Sequence, residues 1–122
     1  LIGQLKVPAN SYILDVQVHG VDLWVSGAAV ALIVGDGDDP DGFHASTNLK
    51  ATDLLAGEAN TVEHPGGLAG AYTASEQRKF YSASERTVIA KATITNHATA
   101  VSAGETRILV MYCCPPTSSV KP

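Results

Sequence analysis

Apolar and polar residues alternate most clearly near the start of the chain. Tyr12, Leu14, Val16 and Val18 fall on one side of an extended backbone, and Asp15, Gln17 and His19 on the other. A period of two predicts a half-buried β-strand. Pro8-Ala9-Asn10-Ser11 before it reads as a turn. Ile2 to Val7 then reads as an edge strand or an N-terminal arm that stops at proline. Ala29 to Val34 is apolar on both faces, is bounded by Gly27 and Gly35, and is too short for a helix, so it predicts a strand covered on both sides. Leu23-Trp24-Val25 reads as the end of a further strand.

Alternation returns with Val88, Ala90, Ala92 and Ile94 on one face and Lys91, Thr93 and Thr95 opposite. Ser102 to Glu105 reads as a turn. Thr106 to Tyr112 is a closing strand, with Ile108, Val110 and Tyr112 on one side and Leu109 and Met111 on the other. Gly35 to Gly42 is a loop by its turn chemistry. Between Phe43 and Gly70 the pattern fades: Asn48 to Leu55 has room for one or two helical turns, and His64 to Gly67 is a loop. Thr73 and Glu76 have capping-box spacing, which leaves Ala74 to Tyr81 open between a short helix and a polar strand.

Short strands separated by turns, with at most one or two short helices, predict an all-β fold, an antiparallel β-sandwich. The expected domain spans residues 1–114, followed by an extended tail over 115–122. A small sandwich buries one face of each sheet, so strands that are apolar on both sides need a second partner. That partner is another subunit or the chain's own loops. The candidate interface residues are Ala29, Ala31, Ile33, Leu109 and Met111 on strands and Leu1, Ile2 and Val120 at the ends.

Composition adds to this expectation. Charged residues make up 16% of the chain, low against a norm of about 25%, and an interface is the usual reason. A net charge of −4, with no basic stripe, argues against nucleic acid as a partner. The longest uncharged runs, Leu23 to Gly35 among them, fall short of the roughly 20 apolar residues of a membrane helix. A first residue of leucine points to processing or trimming. The adjacent Cys113 and Cys114 do not make a disulfide framework and read as two reduced thiols at a strand end.

Candidate chemistry is sparse. Asp36, Asp38, Asp39 and Asp41 form the only dense cluster of hard oxygen ligands and are the candidates for an irregular calcium loop. The cluster does not fit the EF-hand pattern: Pro40 and Asp41 stand at the fifth and sixth positions and Thr47 at the last. The favoured reading is a solvated acidic turn whose aspartates cap backbone amides. His19, His44, His64 and His97 lack zinc spacing, and His44 alone is close enough to join the acidic loop. No nucleophile elbow, zinc-protease motif or phosphate loop is present, so the chain reads as a non-enzyme with no cofactor. Trp24 suits either a core position or an exposed sugar-stacking face, and the core is favoured.

Several segments resemble small virion proteins of tailed bacteriophages. They are Val7 to Val16, Ala31 to Gly35, Asp39 to Phe43, Glu85 to Ala90 and Ala103 to Tyr112. The residues from Thr47 to Ser84 carry no match. The resemblance implies a jelly-roll-like sandwich that decorates the capsid surface as a cement protein, is assembled in the host cytoplasm, and binds the major capsid protein as a homo-oligomer, commonly a trimer. It carries no catalytic residues. The alternative is a carbohydrate- or receptor-binding module, such as a head-fibre or tail component, built around Trp24 and the acidic loop.

Overall fold

The computed structural model describes residues 1–25, 29–50, 70–75, 77–95 and 101–114. Seven strands are described: β1 (Ile2–Val7), β2 (Ser11–Val25), β3 (Val30–Gly35), β4 (His44–Asn48), β5 (Tyr81–Ser82), β6 (Arg86–Ile94) and β7 (Ala103–Cys113). They form two antiparallel sheets, ordered β1-β6-β3-β4 and β5-β2-β7. Among the described residues there is one short helix, α1 (Ala71–Ser75), and a 3₁₀ turn at Gln77–Phe80. The all-β expectation holds, and Ile2–Val7 is an edge strand paired along its length with β6.

A single apolar core lies between the sheets. The three-stranded sheet contributes Ile13, Val16 and Val18, and the four-stranded sheet contributes Val30, Leu32, Val34, Val88, Ala90 and Ala92. Alternation placed the β6 residues correctly, with Ile94 packed against the rim of the core. On β2 it was only half right. Ser11 and Ile13 point inward, Tyr12 and Leu14 are exposed, and Val16 and Val18 are again buried. A register shift between Ile13 and Asp15 inserts one extra residue and moves the buried set from odd to even positions. Asp15 holds the irregularity, accepting from the Val16 amide at 2.9 Å.

Three further expectations are corrected. Leu23-Trp24-Val25 belongs to β2, which continues for 15 residues through two more register shifts. Ala103 to Glu105 belongs to β7 and is not a turn. Gly104, at φ 149°, lets the strand pass the Trp24 ring, where a Cβ would lie 2.6 Å from Cγ. The helix begins at Ala71, before the proposed cap Thr73, and Tyr81 already belongs to β5. The strand β4 went unpredicted because its sequence, His-Ala-Ser-Thr-Asn, has no large apolar residue. Residues 51–69, 96–100 and 115–122, which include His64, His97 and Val120, lie outside the described residues, as does most of the Asn48 to Leu55 segment.

The two sheets meet differently along their two flanks. On one flank β4 reaches β2: His44 Nε2 donates to the Val16 carbonyl at 2.6 Å, and the Trp24 amide donates to the Leu49 carbonyl at 3.4 Å. Phe43 and Tyr72 meet edge to face there, and both are fully buried. On the other flank β1 and β7 face each other across an opening, with no strand between them among the described residues.

Candidate interaction surfaces

The acidic loop is a folded turn with its first carboxylate committed. Asp36, 7% exposed, accepts at Oδ1 from the Asp38 and Asp39 amides and from the Tyr72 hydroxyl at 2.6 Å. Arg86 approaches Asp36 Oδ2 at 3.5 Å, donates to the carbonyls of Lys79 and Phe80, and lies over the Phe43 ring. Its Nε–H has no partner among the described residues. Burial pulls the guanidinium below its ordinary value, against the upward pull of Asp36. Burial and the bond to Asp36 together raise the Tyr72 hydroxyl. Gly35 sits tight under this turn: a Cβ there would meet the Asp39 carbonyl at 2.0 Å.

The other aspartates are also engaged. Asp39 accepts from the Asp41 amide, Asp38 pairs with Lys79 at 3.4 Å, and Asp41 is raised by its hydrogen bond with Asp39. The anticipated capping of backbone amides is present, but the turn is not solvated throughout, because Asp36 is buried against Arg86 and Tyr72. No group of three or more ligand-type side chains poised to hold a metal occurs among the described residues. His44 does not join the loop: it is buried, and because a carbonyl only accepts, its Nε2 carries the proton that ties β4 to β2. Arg86 and Tyr72, which organise the turn, had no motif to mark them. The surface hollow beside them, about 610 Å³, is lined by Asp36, Asp38, Lys79, Ser82, Glu85 and Arg86.

The second surface is the outer face of the three-stranded sheet. Leu109 and Met111 lie there at 45% and 44% exposure, opposite Gln17 and Asp15. Tyr12 and Tyr81, also exposed, contact each other with ring centroids 4.8 Å apart, and Cys113 lies across from Tyr12. Beside this apolar strip runs a polar ladder: Gln17 Nε2 donates to Asp15, and His19 Nε2 meets Gln17 Oε1. Ala31 and Ile33 face outward on the other sheet and are half-buried, and Ala29 is exposed. Leu1 and Ile2 lie on the β1 edge at 70% and 63% exposure. The candidate interface residues therefore occupy three separate places.

The third surface is the open flank. Leu5 points inward opposite Val88, yet it is 46% exposed, and Tyr112 points inward opposite Ile13 at 41%. Two adjoining hollows of about 310 and 240 Å³ run between β1 and β7, sharing Gly3, Ala90, Thr106 and Ile108 as lining. Trp24 closes one end, half-buried against the core, with its Nε1–H donated to Thr106 Oγ1 at 2.8 Å. It is a core-edge residue and not a platform. Both cysteines are free and exposed, and Cys114 Sγ lies 3.2 Å from Ser11 Oγ.

No family model, curated protein or solved structure matches the chain.

Proposed function

We propose that the chain is a non-enzymatic structural protein of a tailed-phage virion, a decoration protein that binds the major capsid protein and stabilises the head. The reading includes a β-sandwich of jelly-roll type and a homo-oligomer, with a trimer favoured. The observation that carries it is the exposed apolar strip of Leu109, Met111, Tyr12 and Tyr81 on the outer face of the sheet, rimmed by the Asp15-Gln17-His19 ladder. An apolar centre with a polar rim is how protein interfaces are built. A repetitive capsid lattice turns many modest contacts of this kind into firm attachment.

The segments that resemble virion proteins are the other ground for the reading. Ala31 to Gly35 lies in β3, Ala103 to Tyr112 in β7, and Asp39 to Phe43 in the turn that Asp36 organises. The rival carbohydrate-binding reading needs an exposed Trp24, and its indole is instead bonded to Thr106 and packed against the core. The test is co-sedimentation of the purified chain with heads of the phage that encodes it. Binding that is lost in a folded Leu109→Ser/Met111→Ser variant is the expected result. Failure of the unaltered chain to bind such heads would overturn the reading.

A further inference from the structure

We infer that the open flank between β1 and β7 is the site where a second copy of this chain docks, completing a core that one copy leaves unfinished. The interior of the opening is apolar: Leu5, Val88, Ala90, Ile108 and Val110 face it. Leu5 and Tyr112 occupy inward positions that a closed pair of sheets would bury, yet each keeps about two-fifths of its surface exposed. Among the described residues, the backbone edges on both sides of the opening end their sheets. An apolar small molecule would cover the side chains and leave both edges without hydrogen-bond partners, whereas a β-chain covers both.

Charge and size favour a copy of this chain as that occupant. The two edges carry Lys6 and Arg107 against Glu105, with Glu85 paired to Lys6 at 3.6 Å, so the flank is close to charge-balanced and does not repel its like. On β7, Glu105 and Arg107 stand two residues apart on one face, so antiparallel self-pairing can set each opposite the other's partner charge. Where one copy offers both edges to the same partner, the 6 residues of β1 and 11 of β7 approach the roughly 20–30 residues per side of a standard stable interface. Two closed arrangements use the same surfaces: a two-fold that joins each edge to its own counterpart, or a ring that joins β1 of one copy to β7 of the next. β7 carries both this edge and, on its outer face, Leu109 and Met111 of the strip assigned above to the capsid protein; a monomer would end this inference and the homo-oligomer of that reading, and leave its capsid contact to its own test.

The test is the mass of the full chain in solution by light scattering at micromolar concentration, for the unaltered protein and for Leu5→Glu, Tyr112→Glu and, as a control on the opposite edge of the sheet, Tyr81→Glu. Circular dichroism confirms that each variant is folded. The unaltered chain is expected to be a dimer, trimer or other closed oligomer. Leu5→Glu on β1 and Tyr112→Glu on β7, both at partly exposed inward positions, are each expected to fall to the monomer mass, and Tyr81→Glu to keep the oligomer mass. A monomeric unaltered chain overturns the inference. So does an oligomer that survives both folded flank variants or is dissolved by Tyr81→Glu alone. Loss of capsid binding by Tyr81→Glu with an intact oligomer would separate the two surfaces.

Discussion

The two flanks of this molecule solve the same problem in opposite ways. Where β4 meets β2, the gap between the sheets is closed from within by Phe43, Tyr72, the His44 bond to Val16, and Arg86 braced on Asp36. Where β1 meets β7, inward-facing Leu5 stays about half exposed, and both strands end their sheets among the described residues. The closed flank shows that this chain can seal a gap when its sequence supplies large aromatics and a buried ion pair. The open flank has only Gly3 and Leu5 facing inward on β1 before Val7. A surface left unfinished beside one so fully finished is best explained by completion from outside.

The comparison can be broken most forcefully on the closed side. Arg86→Ala leaves the Asp36 carboxylate buried without its cation, and removing one partner of such a pair costs about 3–5 kcal/mol. Denaturant unfolding should show this loss at every protein concentration. His44→Ala strips the Val16 carbonyl of its donor and opens the β4–β2 seam, for a loss of about 1–3 kcal/mol in the same assay.

A smaller effect concerns pH. The Tyr72 hydroxyl is raised above its ordinary value of 10.0, so its neutral form is the one the fold favours. Its contribution is fully present below that value and is lost as pH climbs above it. Tyr72→Phe should cost about 1 kcal/mol near neutrality. It should also flatten the decline of the unfolding midpoint above about pH 10. An unchanged alkaline slope would remove the hydroxyl from the account of the closed flank. On the open side, Leu5→Ser should change the stability of the isolated chain by no more than about 0.5 kcal/mol, because the side chain is already half exposed. Its effect belongs to mass, not to folding.

Much of the framework was legible from periodicity. The β6 face, the Ile108 and Val110 side of β7, and the acidic turn all follow from residues whose neighbours along the chain decide their direction. What escaped depended on partners distant in sequence. The bulge at Leu14 and Asp15 reverses the phase of β2, and nothing in an unbroken alternation announces it. The strand β4 is held by a histidine whose acceptor lies 28 residues earlier. Arg86 is polar at the head of a strand and reads as solvent-facing until the aspartate 50 positions before it closes over it. The apolar outer residues Leu109 and Met111 were anticipated. The flank was not, because an opening between two edges is a property of topology.

The account rests most heavily on the claim that β1 and β7 meet another copy, and amide hydrogen exchange followed at high and low protein concentration tests it most directly. Amides of β7 that point away from β2 should be protected at high concentration and lose that protection on dilution, while those of β4 and β6 stay constant. Fast exchange along the free edge of β7 at every concentration would contradict the claim and leave the flank open in the working protein.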